Sequence, residues 1–248
     1  MPAIKLKSIS TTAPDNADKD SIKEKTKVIL EELDELQNLL YAEGKHSILI
    51  VMQGMDASGK DGVIRNVFGH LNPQGVMVKS YKVPTQEELS HDFLWRIHQH
   101  APAKGMIQIF NRSHYEDILI TRVHNMIDDK TATKRMEAIN DFERLLTEHN
   151  RTNILKFYLH VSPKEQEQRL RERLDDKRKQ WKYNEKDFEE AKLWKEYMKM
   201  YEDCFNKCDK IPWTIVPSDH NWYKEYIIAT KLHSTLKSLR MRYPGLKK

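Results

Sequence analysis

Between Ser47 and Asn66 the chain reads SILIVMQGMDASGKDGVIRN, and this stretch constrains the fold more than any other. Ile48 to Met52 is an unbroken apolar run rich in β-branched residues. It is short enough for a strand buried on both faces, the pattern of a parallel sheet covered by helices. It leads directly into Gly54-Met55-Asp56-Ala57-Ser58-Gly59-Lys60, the GxxxxGK spacing of a phosphate-binding loop, and then into helix-compatible sequence. A strand, a glycine turn and a helix start in that order make an anion cradle. Backbone N–H groups point inward, the helix start adds partial positive charge, and Lys60 supplies a full one. Gly54, Ala57, Ser58, Gly59, Asp61 and Gly62 are therefore the candidate phosphate-binding positions of the loop.

One position departs from the common pattern. The Ser or Thr that usually follows the lysine and holds Mg²⁺ is Asp61. Metal binding must then use carboxylates, and Asp56 inside the loop is a second candidate. The substitution disfavours ordinary ATPases and GTPases.

Strands and helices alternate along the rest of the chain. Ile22, Ile29, Leu33, Leu36 and Leu40 mark one face of a helix ending before Gly44, with Ser21 and Glu24 spaced as a capping box. After the first strand and its loop, a helix should run to about His70, where Asn72-Pro73 stops it. Further strands are expected at Val76 to Lys82, Met106 to Phe110, Ile154 to Val161 and Trp213 to Val216. Between them lie a helix from Thr85 towards Pro102, two helical stretches before Asn150, and a charged helical region from Lys164 to Lys207. A last amphipathic helix carries Tyr226, Ile227 and Leu236. This order predicts an α/β protein with a parallel sheet covered on both faces. Residues 1–20 lack periodicity and read as a flexible arm. Residues 21–248 read as a single domain, with a lid at about 163–207.

The 248 residues include 39% hydrophobic and 32% charged side chains, with a formal net charge of +5. Such a balance places the excess charge on solvated helices and gives a mild bias towards anionic partners. Cys204 and Cys208 offer no zinc pattern and read as reduced thiols. With no membrane-length apolar run and no apolar signal core, the chain reads as cytoplasmic.

Ligands of open parallel sheets bind at the carboxyl ends of strands, so the phosphate loop and the polar knot Asn111–Asp117 should face one crevice. Phosphoryl transfer needs charge neutralisation and positioning more than a covalent nucleophile. Lys60 would bridge phosphoryl groups, and Asp56 with Asp61 or Glu116 would hold Mg²⁺. Arg112 would bind phosphate in bidentate fashion, its alternative being a salt bridge at the strand end. His114 is read as a structural hydrogen-bonding group, and Tyr115 as either a base-stacking or a packing residue. Leu170 and Leu174 mark the thin inner face of the charged helix, with Arg169 and Arg173 projecting together beside it. That region reads equally as a mobile lid that excludes water and as a solvated charged face. Trp194, Tyr197 and Met198 could form a lid hinge or a subunit contact.

Several long segments together resemble the polyphosphate kinase 2 family. They are GMDASGKDG at 54–62, LNPQGV at 71–76, KVPTQEELSHDFLWR at 82–96, IFNRSHYED at 109–117, and FYLHVSPKEQEQRLRER followed by Gln180-Trp181-Lys182. The resemblance spans about Ser21 to Leu239. It implies a P-loop kinase fold similar to thymidylate kinase, a three-layer αβα sandwich with a five-stranded parallel sheet and a helical lid. It also implies Mg²⁺-dependent phosphoryl transfer, with Mn²⁺ as a substitute, between inorganic polyphosphate and a nucleotide. Asp56 and Lys60 match the family's essential loop acid and lysine, Arg112 its arginine after the third strand, and Arg169 or Arg173 its lid arginine. Asn111 stands where many members carry an aspartate, so Glu116 would share the metal-binding task. His114-Tyr115-Glu116 is similar to the subgroup that uses both mono- and diphosphates, which implies AMP to ADP, ADP to ATP, and the same for guanine nucleotides, reversibly.

Polyphosphate would lie along basic residues such as Lys79, Lys82, Lys104 and the lid lysines. The resemblance further implies a homo-oligomer, dimer or tetramer. Two rivals remain at this level. An ATP-dependent nucleoside monophosphate kinase of thymidylate kinase type would share the fold, but Asp61 argues against it. A nucleic-acid-binding module is disfavoured because acids interrupt the basic residues.

Overall fold

The computed structural model describes residues 3–246. Five strands, β1 (Ser47–Gln53), β2 (Val76–Ser80), β3 (Ile107–Asn111), β4 (Thr152–His160) and β5 (Trp213–Pro217), form one sheet in the order β2-β3-β1-β4-β5. All four pairings are parallel. β1 is fully buried along its length, as its unbroken apolar run requires.

The period-two alternation of strand side chains divides the core into two layers. Ile48, Ile50 and Met52 of β1 join Ile107 and Ile109 of β3 and Leu155, Phe157 and Leu159 of β4 on one face. Helices α1 (Lys19–Glu43) and α10 (Asn221–Ser238) cover that face with Leu33, Leu40, Ile228 and Leu232. Leu49, Val51, Phe110, Ile154 and Tyr158 point the other way. They meet α5 (Glu116–Val123), α6 (Asp129–Asn150) and α9 (Trp194–Lys207), which contribute Ile118, Ile139, Phe142, Tyr201 and Phe205. The result is the expected three-layer αβα sandwich. Among the described residues, no helix is long and apolar enough to cross a membrane.

Local capping explains where several elements differ from the sequence expectation. The first helix is capped by Asp18, whose side chain accepts from Ser21 N–H, so it begins ahead of the expected Ser21 cap. The Thr85–Glu88 capping box forms as expected. Its helix, α3 (Gln86–Ser90), nevertheless ends early, because the Asp92 carboxylate accepts from Leu94 N–H at 2.9 Å and starts a separate turn, α4 (Trp95–His98). After the phosphate loop, α2 (Lys60–Val63) widens into a π-helical turn over Ile64–Phe68.

Two larger expectations need correction. The segment read as a flexible arm is tied down from Ile4 onward, Met1 and Pro2 lying outside the described residues. Leu6 is buried in the core, its N–H donates to Glu202 at 2.8 Å, and the Thr11 hydroxyl donates to Asp219 at 2.8 Å. The region read as lid also divides. α7 (Pro163–Asp175), a 3-10 turn at Gln180–Lys182 and α8 (Glu185–Lys192) lie over the loop side of the sheet, whereas α9 buries Tyr197, Met198, Tyr201 and Phe205 in the core. Tyr197 and Met198 are therefore internal packing groups. The charged average of 164–207 conceals this apolar face, because the acids and lysines of α9 occupy its other side.

Beneath the polar knot lies a fully buried network. Lys156 Nζ on β4 donates to Glu143 Oε2 at 2.8 Å, to the Tyr115 hydroxyl at 2.8 Å and to the Cys208 carbonyl at 3.0 Å. Tyr115 donates in turn to Glu143 Oε1 at 2.6 Å, so this tyrosine packs and is closed to stacking on a base. Burial alone would raise the Glu143 carboxyl pKa, but Lys156, with His114 beside it, holds the group below the usual carboxylate value. His114 is buried 3.6 Å from Glu143 without a hydrogen bond to either ring nitrogen, a packed neighbour out of reach of a substrate. Cys204 and Cys208 are buried free thiols. Lys156→Met strands the Glu143 charge, so it should cost roughly 3–5 kcal/mol and lower the midpoint of thermal unfolding by roughly 6–20 °C. Calorimetry showing a shift under about 2 °C would mean the network contributes little.

Candidate phosphoryl-transfer site

The loop between β1 and α2 takes its shape from three residues in or near left-handed backbone: Gly54 (φ 151°), Ala57 (φ 61°) and Gly59 (φ 99°). A Cβ at Gly54 would stand 2.7 Å from Ser58 Oγ and 3.0 Å from the Leu159 carbonyl, so only glycine lets the loop leave the sheet there. Ala57 carries a Cβ into the same region, a local strain that the surrounding contacts hold in place. Lys60 is buried inside the turn and donates to the Gly54 carbonyl at 2.7 Å and the Met55 carbonyl at 3.0 Å. Burial first, and Arg112 second, push its pKa down to about 8.

The knot after β3 faces this loop across the crevice, as expected from the parallel order. Arg112 adopts φ 61° while its N–H continues the ladder onto the Met52 carbonyl at 3.1 Å. Its guanidinium pairs with Asp56 across the crevice and with Glu116 at 3.3 Å on its own turn. Glu116 is the leading cause of the rise in the Arg112 pKa. Burial would raise the Asp56 carboxyl, yet Arg112 and Lys60 together hold it below its ordinary value and ionised. Asn111 Nδ2 donates to Asp61 Oδ1 at 3.0 Å, and Lys182 of the 3-10 turn donates to Asp61 Oδ2 at 2.6 Å. Against burial, these two bonds and the charges of Lys182 and Lys60 together lower the Asp61 pKa. Asn111 thus orients a carboxylate in place of providing one.

The two arginines read as projecting together have separate tasks. Arg169 uses all its nitrogens on protein oxygens: Glu165 at 2.7 Å, the carbonyls of Ala57 at 3.2 Å and Ser58 at 3.0 Å, and those of Ser218 at 2.8 Å and Asp219 at 2.9 Å. Arg173 instead pairs with Asp187 of α8 and reaches the Lys182 carbonyl at 3.3 Å, close enough to Asp56 to help lower its pKa. Lys79 and Lys82 lie at the carboxyl end of the edge strand β2, on the loop side of the sheet. Lys104 precedes β3 and so lies at the opposite end, away from the loop.

Two participants escaped the sequence reading, Asp187 and Lys224, and Lys182 entered it only within a matched segment. Lys224, in the first turn of α10, is buried and donates to the Ser58 carbonyl at 3.1 Å. Burial, then Arg169, push its pKa down to about 7. The available signal was its place just after β5, since that strand also ends at the loop side of the sheet.

Among the described residues no three metal-ligating side chains converge. Mg²⁺ held by one or two carboxylates, water and phosphate oxygens needs no such cage, and the ionised Asp56 and Asp61 supply hard oxygen donors of that kind.

Known proteins share sequence and fold with this chain. The family model "Polyphosphate kinase 2" matches residues 16–244. An AMP/ADP-polyphosphate phosphotransferase of Meiothermus ruber is 48% identical over 219 residues, covering 88% of this chain and 82% of that protein. An ADP-polyphosphate phosphotransferase of Rhodopseudomonas palustris is 42% identical over 229 residues, covering 87% and 79%. The crystal structure of polyphosphate kinase 2 from Arthrobacter aurescens superposes with a TM-score of 0.96 at 38% identity, covering 100% of this chain and 90% of that one. A family model matched over residues 16–244, and relatives 42–48% identical over most of both chains, mean that the chain belongs to the polyphosphate kinase 2 family.

Proposed function

We propose that the chain transfers a phosphoryl group from inorganic polyphosphate to AMP and ADP, reversibly, and to the corresponding guanine nucleotides. The observation that carries this reading is the Asp56–Arg112 pair spanning the crevice between the phosphate loop and the β3 knot. It gathers an acid, Lys60 and a guanidinium around one anion site. Relatives named for this transfer support the donor and the acceptors. The ATP-dependent monophosphate kinase alternative finds no comparable support.

In this reading the loop N–H groups and Lys60 bind the terminal phosphates of the donor. Phosphate oxygens then compete with the Gly54 and Met55 carbonyls for the Lys60 ammonium. Arg112 spends one N–H on Asp56 and one on Glu116, which leaves three of its five donors for phosphoryl oxygens. Asp56, with Asp61, would hold Mg²⁺, which supplies charge neutralisation on the phosphates when bound. Lys182 and Arg173 bring the 3-10 turn and α8 over the loop, where they would exclude water that otherwise hydrolyses the donor. Lys79 and Lys82 would guide the chain of phosphates along the sheet edge.

The same resemblance supports a homo-oligomer, and the reduced thiols Cys204 and Cys208 favour a cytoplasmic place. β2, at the sheet edge, exposes Met77 and Val78, an apolar border that a second copy could cover. A monomeric mass by light scattering at assay concentration would remove that part of the proposal.

Purified chain incubated with long-chain polyphosphate, Mg²⁺ and AMP should form ADP and then ATP by chromatography. Lys60→Ala should abolish both products, and chelation by EDTA should stop turnover until Mg²⁺ or Mn²⁺ is restored. Turnover of AMP with ATP but not with polyphosphate would refute the donor. In the same assay Glu116→Asn frees one arm of Arg112 and should shift the ratio of AMP to ADP use. An unchanged ratio would remove Glu116 from acceptor choice.

A further inference from the structure

Lys224 is a buried ammonium that, among the described residues, forms no ion pair, its single hydrogen-bond acceptor being the Ser58 carbonyl. Burying a lysine without a counter-ion is costly, and the group's pKa near 7 reflects that cost. A core that wanted only volume at this place would hold methionine or leucine. The charge therefore has a use at the one oxygen it touches.

That oxygen belongs to the peptide joining Ser58 to Gly59. A trans peptide is planar, with its C=O and N–H pointing in opposite directions. Fixing the Ser58 oxygen on one side therefore aims the Gly59 N–H to the other, the side of the cradle. Lys224 at 3.1 Å and Arg169 at 3.0 Å hold this oxygen together, and Arg169 also holds the preceding Ala57 oxygen at 3.2 Å. The Gly59 N–H has no protein acceptor among the described backbone bonds. Gly59 also lets the ammonium approach, since a Cβ there would lie 2.1 Å from Lys224 Nζ. Arg169 carries the clamp onward to the Ser218 and Asp219 carbonyls, so α7, the β5–α10 turn and the loop are fastened at one point.

We propose that Lys224, acting with Arg169, is a positioning residue that holds the Ala57 and Ser58 carbonyls turned away from the donor, so that the Gly59 N–H and its neighbours meet the terminal phosphates. This inference rests on the phosphoryl-transfer reading of the loop and not on Lys224 touching substrate. It also moves Arg169 from the substrate side of the loop to its back.

The test compares Lys224→Met with the wild-type chain, measuring KM for polyphosphate, KM for AMP, kcat and the thermal midpoint. Removing an unpaired buried charge should leave the Met variant at least as stable as wild type. Its KM for polyphosphate should nevertheless rise about tenfold, a loss of about 1.4 kcal/mol of donor binding. Its KM for AMP should stay within about twofold. An unchanged donor KM in a folded Met variant, or equal losses for both substrates, would overturn the clamp. Wild-type chain that uses ATP and ignores polyphosphate would sink the donor reading instead. The same comparison of KM values, made with ATP, would then decide the clamp separately.

Discussion

The pairing of Asp56 with Arg112 is the contact on which the site depends. A phosphate loop concentrates inward-facing N–H groups and a lysine in a small volume, and a second cation facing it would be repelled without an acid between them. Asp56 supplies that acid from within the loop, and Arg112 is held in left-handed backbone at the end of β3 to reach it. The parallel sheet makes the meeting possible. β1 and β3 run side by side in register from Ile48↔Ile107 to Met52↔Asn111, so loop and knot emerge together at one edge. The Lys156–Glu143–Tyr115 network beneath the knot fixes its far side.

Charge is distributed around this contact in pairs. Lys182 answers Asp61, Arg173 answers Asp187, and Glu116 answers the second arm of Arg112. Lys60 and Lys224 are the two lysines near the loop with strongly lowered pKa values, and burial is the leading cause for both. An incoming polyanion would meet cations already desolvated and oriented, the condition under which electrostatic stabilisation is strongest. The lowered lysine pKa values record what it costs to keep those cations ready.

The local features of this site were legible in the sequence, and the distant ones were not. GxxxxGK after a buried strand announces the loop because its chemistry needs adjacent residues, and the period of the strands announces the sandwich. Ser162-Pro163-Glu165 marks the start of α7 for the same reason, with Ser162 accepting from Glu165 N–H at 3.2 Å. Arg169 and Arg173 share a helix face at i,i+4, and that spacing could not reveal that one turns to backbone carbonyls and the other to α8. The apolar stripe of α9 was diluted by its charged face. Lys224 lies 166 residues from Ser58, and its role depends on the direction of one peptide, which no local pattern encodes.

The central claim is that the backbone of residues 54–62 grips the terminal phosphates of the donor. The most direct test follows amide hydrogen exchange of this segment in the whole chain, with and without inorganic tripolyphosphate and Mg²⁺. Exchange should slow across Gly54–Gly62, and less so in Lys60→Ala. Exchange unchanged there, with protection confined to the lid or to β2, would place the donor elsewhere and contradict the account.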